Sequence, residues 1–271
     1  MNNNIKAKKK FGQNFLHDNK VLENIIEVSE LDKDTLVIEV GPGLGALTKY
    51  LCKYAGHVVC YEIDKDLINP LKVTLSEFNN YEIINEDILN IDLKSEIKRY
   101  NRYNKIYFIS NLPYYITTPI ITKILNEAPF VTRYVMMMQK EVGLRLTGEP
   151  KSKDYGAITI MLKYKGDARI MFDVDRKSFT PAPNVDSCVV RFDLYDYKKY
   201  NPLDEELLFK LIRASFIQRR KTLVNNLSTV YNKDFINKML TDNSFNLNVR
   251  AEELSIEDFI KLADYIFKEK K

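Results

Sequence analysis

Tryptophan is absent from these 271 residues, and only His17 and His57 supply imidazoles. The three cysteines, Cys52, Cys60 and Cys188, show no paired metal-ligand spacing, so they read as reduced thiols and no metal site is expected. No apolar run approaches the ~20 residues that a membrane helix needs. The N-terminal MNNNIKAKKK lacks an apolar signal core, and a soluble, cytoplasmic protein is the expectation. Internal repeats and low-complexity segments are missing as well. Nor does charge of either sign dominate: 41 Lys and Arg face 37 Asp and Glu, a net charge of +4. Such an excess permits a nucleic-acid partner without demanding one. The cations are nevertheless clustered, at Lys6, Lys8, Lys9 and Lys10 and again at Arg219, Arg220 and Lys221.

What is present is 45% hydrophobic side chains, enough for one large core and a smaller second one. Val21, Leu22, Ile25, Ile26 and Val28 recur at helical spacing, predicting an amphipathic helix that ends near Leu31. Short apolar runs follow at 36–40, 57–61, 81–84 and 105–110, separated by helix-length segments. That alternation predicts an α/β fold with a parallel sheet and crossover helices. Thr118 as cap and Pro119 as first helical residue would open the next crossover, before a fifth strand at 133–139. Residues 156–164 are apolar throughout, so periodicity cannot choose between helix and strand there. Runs at 169–174 and 187–194 read as strands flanking a proline-rich loop. From Asn201 onward only amphipathic helices are expected, the clearest at 203–218, with Ser255 and Asp258 as a capping box for the last one. The expected domains are therefore 1–200 and a helical 201–271.

The loop Gly41-Pro-Gly-Leu-Gly45 lies between the first of these strands and a helix starting near Ala46, where backbone N–H groups are free for a ligand. Gly41, Gly43 and Ala46 satisfy a dinucleotide fingerprint, and Glu62 after the next strand can accept from two ribose hydroxyls. Either a nicotinamide cofactor or S-adenosylmethionine fits these two elements. Asp87, after the third run, can accept from an adenine amino group, and Glu39 can face the ammonium of S-adenosylmethionine, an acid that a NAD site does not need. At the end of the fourth run, Asn111-Leu112-Pro113-Tyr114 offers an amide oxygen and a carbonyl to an exocyclic amine. Two acceptors favour a pyramidal nitrogen with its lone pair directed at a methyl donor. Pro113 fixes the turn, and Tyr114 and Phe179 offer faces for a flipped base. No histidine or cysteine base is required, since positioning and electrostatics can carry transfer from an activated sulfonium.

With FGQNFL (11–16), EVGPGLG (39–45), NLPY (111–114), FTPAPNVDS (179–187) and FIQRRKTLVNNL (216–227) in order, the chain resembles the KsgA-type (RsmA) small-subunit rRNA adenine N6,N6-dimethyltransferases over nearly its whole length. The resemblance implies a seven-stranded Rossmann-like class I methyltransferase sheet with a small all-helical C-terminal domain, and helix for 156–164. By it, Asn14, Leu16, Gly41, Glu62, Asp87 and Asn111 contact S-adenosylmethionine, while Asn111, Leu112, Tyr114 and Phe179 present the adenine. It also implies dimethylation of two adjacent adenosines in the 3′-terminal hairpin loop of 16S rRNA within an assembling 30S-type subunit. Lys8, Lys9, Lys10, Arg219, Arg220 and Lys221 become candidates for rRNA phosphates, the last three alternatively for acids at the domain interface. A monomer is the simplest expectation. The rivals are an Erm-type 23S rRNA adenine methyltransferase conferring antibiotic resistance, whose motif usually has isoleucine where Leu112 stands, and a non-catalytic RNA-binding assembly or transcription factor. Tyr115 departs from the small polar residue common in the family and is expected as a half-buried core tyrosine that alters pocket packing.

Overall fold

The computed structural model describes residues 7–8 and 11–269; Lys6, Lys9 and Lys10 lie outside the described residues. Nine strands run β1 Phe15–Leu16, β2 Thr35–Val40, β3 His57–Tyr61, β4 Tyr81–Ile84, β5 Lys105–Asn111, β6 Arg133–Gln139, β7 Gly166–Val174, β8 Phe179–Thr180 and β9 Ser187–Leu194. Seven of them form one sheet in the order β4-β3-β2-β5-β6-β9-β7, and β1 pairs with β8 in a separate ribbon. The β4, β3, β2, β5 and β6 pairings are parallel, whereas β9 runs antiparallel to β6. The strands at the centre are buried on both faces, Leu36 to Ile38 and Phe108 to Ile109 being fully inaccessible. This explains why they read as continuous apolar runs rather than alternating ones.

Helix α1 Asn19–Ser29 leads from β1 into β2, and α2 Ala46–Tyr54, α3 Lys65–Thr74, α4 Leu93–Ile97 and α5 Thr117–Glu127 connect the parallel strands. Asp18 caps α1 by accepting from Lys20 and Val21, and Asp64 caps α3 by accepting from Asp66. The opening of α5 differs from the sequence expectation: the helix begins at Thr117, and its N-cap is Ile116 with no side-chain cap. The Thr117 hydroxyl instead donates back to the Pro113 carbonyl at 3.0 Å, which pulls the helix start two residues into the preceding turn. At the end of α1, Glu30 accepts from Arg133 on β6 and Arg191 on β9. The Arg191 guanidinium is the main reason its carboxyl is held down at about 2.

The remaining helices are α6 Lys140–Thr147, α7 Ala157–Lys165, α8 Glu205–Ser215, α9 Leu223–Leu227, α10 Lys233–Asp242 and α11 Ile256–Glu269. Residues 156–164 are thus essentially helical, as the family resemblance implied. Two compact units emerge, Met1–Gly143 with Arg169–Leu194, and Leu144–Ala168 with Tyr195–Lys271. The single cut near 200 becomes three crossings because α7 belongs with the C-terminal helices: Tyr155, Ile160 and Tyr164 share a core with Leu208, Phe259 and Ile266. Tyr155 also donates to the Leu254 carbonyl at 2.8 Å. Nothing in the local sequence of 144–168 announces this excursion. The capping box is present, with Ser255 and Asp258 bonding each other's backbone N–H at 3.2 and 2.9 Å.

Candidate active site

A cavity of about 550 Å³ opens at the C-terminal edge of the parallel strands, entirely within the first unit. Its floor is the glycine loop. Gly41 and Gly43 have φ of +68° and +61°, and a Cβ on Gly43 would lie 3.3 Å from the Phe15 ring, so a side chain there is both strained and crowded. The Ser110 hydroxyl donates to the Val40 carbonyl at 2.6 Å, tying the end of β5 to the start of that loop.

Four carboxylates, Glu39, Glu62, Glu86 and Asp87, line the cavity, and three of them have distinct surroundings. Glu62, on the turn after β3, is 4% exposed and accepts from the Gly43 N–H at 3.2 Å and the Asp64 N–H at 2.8 Å. Burial raises its pKa, and these two N–H groups oppose the shift. Asp87 caps a short 3-10 turn by accepting from Leu89 at 3.0 Å. Glu39 is 1% exposed, and burial pushes its carboxyl up to about 8, against the Thr48 hydroxyl and the Cys60 thiol. The Cys60 thiol donates to it at 3.7 Å.

On the opposite wall, Asn111 ends β5, and Leu112 donates its N–H to the Met137 carbonyl at 3.0 Å. The Pro113 carbonyl is occupied by Ile116 and Thr117. Among the described residues, no protein donor is assigned to the Asn111 amide oxygen or to the Leu112 carbonyl. The two acceptors expected from sequence are thus adjacent and unclaimed. Tyr114 is fixed by a 2.5 Å hydrogen bond between its hydroxyl and that of Ser187, and burial raises its pKa.

A model of the ribosomal RNA adenine dimethylase family matches residues 4–268. The chain belongs to the ribosomal RNA adenine dimethylase family. The chain is 43% identical over 268 residues to a ribosomal RNA small subunit methyltransferase A of Lactococcus lactis, covering 97% of this chain and 91% of that protein. It is 46% identical over 263 residues to a protein so named in Lachnoclostridium phytofermentans, covering 95% and 91%. A solved dimethyladenosine transferase from Plasmodium falciparum shares the fold at TM-score 0.79 and 24% identity, covering 94% of this chain and 98% of that one. The 23S rRNA methyltransferase ErmE superposes at TM-score 0.73 and 28% identity, with 93% and 98% covered. The fold is the mixed seven-stranded sheet of class I methyltransferases with added C-terminal helices.

Within the dimethylase, the structure gathers Asn14, Leu16, Glu39, Gly41, Gly43, Glu62, Asp87, Asn111, Leu112, Pro113 and Tyr114 around one cavity. Phe179 is not among them: it is 3% exposed in the core with Leu16, Val174 and Val189, held there by pairing of β8 with β1, and its neighbour Thr180 takes the wall position. Tyr115 is 51% exposed at the cavity rim rather than packed in the core. Lys8 does not present its charge outward, because its ammonium bonds Asp64 and Asp66, each at 2.6 Å. Burial alone would raise the Asp64 pKa, but the Lys8 and Gln13 hydrogen bonds hold it below the ordinary value. Arg219 is bonded to Glu252 and the Ser152 carbonyl, while Arg220 and Lys221 are exposed with no assigned side-chain partner. Sequence reasoning missed Gln13, Asp64 and Ser187, whose roles come from long-range hydrogen bonds that no local motif signals.

Among the described residues no helix is long and apolar enough to cross a membrane, and no group of His, Cys, Asp and Glu is arranged to hold a metal.

Proposed function

We propose that this chain transfers methyl groups from S-adenosylmethionine to N6 of two adjacent adenosines in the 3′-terminal hairpin loop of small-subunit rRNA, acting on an assembling subunit. The observation that carries the reading is the pair of unclaimed acceptors at Asn111 and Leu112, in one cavity with the glycine loop, Glu62 and Asp87. The residues fit S-adenosylmethionine by chemistry: positive-φ glycines allow close approach, Glu62 and Asp87 accept from ribose and adenine, and Glu39 matches a cation.

When bound, the donor supplies an activated methyl on sulfur, so the protein's own work is placement. For the first transfer the Asn111 amide oxygen and the Leu112 carbonyl accept the two N–H groups of the target amine, which draws its lone pair out of the ring and aims it; each methylation releases one N–H proton to solvent, and the monomethylated amine keeps one N–H for these acceptors in the second. Pro113 holds that turn, and Tyr114, oriented by Ser187, offers a ring face to the base. Placement of the amine needs no strong base. Arg220 and Lys221 supply cations for rRNA phosphates from the helical unit.

The test is methyl transfer from tritiated donor to unmethylated small subunits and, in parallel, to naked large-subunit rRNA, with digestion to nucleosides. Dimethyladenosine from small subunits supports the proposal. The likeness to ErmE favours one second reading, a large-subunit rRNA methyltransferase, and label in that arm alone would replace the first.

A further inference from the structure

The N-terminal residues 11–17 line the cavity, and they are fastened to three successive strand ends. At the β3 end, Lys8 and Gln13 bond the Asp64 side chain, the latter at 2.9 Å. Over the β2 end, the Phe15 ring lies against Gly43. At the β5 end, Gly12 meets Tyr115: a Cβ on Gly12 would sit 3.1 Å from Tyr115 Cδ1. Since β3, β2 and β5 are neighbours in the sheet, the segment spans the cavity from side to side. The Lys8 and Gln13 fastening is polar and shared with a helix cap; the Tyr115 fastening is a single half-exposed aromatic ring.

We propose that residues 11–14 form a strap over the donor cavity and that Tyr115 is the rest on which it closes, so that this ring sets how long donor and demethylated product stay bound. The inference rests on the methyltransferase reading. Tyr115 lines the cavity together with Glu62 and Asp87, the two carboxylates assigned above to the ribose and adenine of the donor. Gly12, at φ +57°, gives the strap the tight backbone that lets it touch the ring without a side chain between them. Placing two methyl groups on each of two adenosines requires the spent donor to be exchanged between transfers. A strap resting on one ring can loosen at Gly12 while the Lys8 and Gln13 bonds to Asp64 on one side and the β1–β8 pairing on the other hold it in register.

The experiment measures binding of S-adenosylhomocysteine by calorimetry and its dissociation by stopped-flow displacement, for wild type, Tyr115→Asn and Tyr115→Phe, together with the KM for donor and for rRNA. Expected is a five- to tenfold weaker Kd for Tyr115→Asn, expressed as faster dissociation and a matching rise in donor KM, with Tyr115→Phe restoring wild-type values. Wild-type dissociation in Tyr115→Asn overturns the proposal, as does a change confined to the rRNA KM, which would make the ring an RNA contact. Failure of the wild-type chain itself to bind donor or product would instead remove the methyltransferase reading, and the strap with it.

Discussion

Replacing Glu39 with glutamine should make the ligand-free protein more stable at neutral pH while weakening its hold on a cationic donor. The carboxyl is buried in the β2 strand just before the glycine loop, and burial moves its pKa from 4.5 to about 8. An unfolded chain at pH 7 has released that proton, whereas the folded chain retains it. Each pH unit of that difference is worth about 1.4 kcal/mol, so between 4.5 and pH 7 the wild type loses about 3 kcal/mol. Its stability contribution is fullest below 4.5 and is lost as pH rises toward 8. Glutamine cannot titrate, and its site suits an amide: the Cys60 thiol can still donate to the oxygen, while the otherwise unpartnered Thr48 hydroxyl can accept from the nitrogen. Calorimetric melting is the suitable assay, because a chain with no tryptophan offers little fluorescence signal. The Tm of Glu39→Gln should match wild type near pH 4.5 and exceed it by about 6–12 °C at pH 7. A constant offset between the two chains from pH 5 to 8.5, or a lower Tm for the variant at pH 7, would refute the reasoning.

Asn111→Ala removes one of the two amine acceptors and should lower transfer at least 100-fold while changing the Kd for S-adenosylhomocysteine less than fivefold; single-turnover assays and calorimetry separate the two. Arg220→Gln with Lys221→Gln should weaken rRNA binding and reduce the slope of log K against log salt by between one and two, as read by filter binding at several ionic strengths. Gly56→Ala places a Cβ 2.1 Å from the Lys33 carbonyl oxygen, a backbone atom that cannot swing away, so denaturant unfolding should show a loss of about 2 kcal/mol or more.

Most of the sheet was legible because its strands are short apolar runs, the central ones buried on both faces, separated by crossover helices; β3 and even the half-buried edge strand β4 match the sequence residue for residue. The glycine loop, Glu62, Asp87 and Asn111 were legible for a related reason: each directly follows or ends a strand, and strand ends converge on one edge. What was hidden depended on partners far away in the chain. The two-residue β1 and β8 are too short for any periodicity, yet their pairing decides that Phe179 points into the core. Lys8 looked like a free cation because Asp64 and Asp66 are more than fifty residues downstream. Tyr115 looked like core because aromatic residues beside a buried strand usually are.

The placement of β9 between β6 and β7 has a consequence for synthesis of the chain. When β6 leaves the ribosome, its free edge finds no partner until residues 187–194 follow, about fifty residues later, with α7 and β7 made in between. At ordinary translation speeds that leaves an apolar strand, Tyr134 to Met138, unpaired on one side for several seconds. Meanwhile α7 must also wait, for a core that is completed only by α11 at the end of the chain. Helix α11 thus finishes a core whose first helix, α7, was made about a hundred residues earlier. Late truncations should therefore be met as aggregation of nascent protein rather than as a trimmed but folded enzyme.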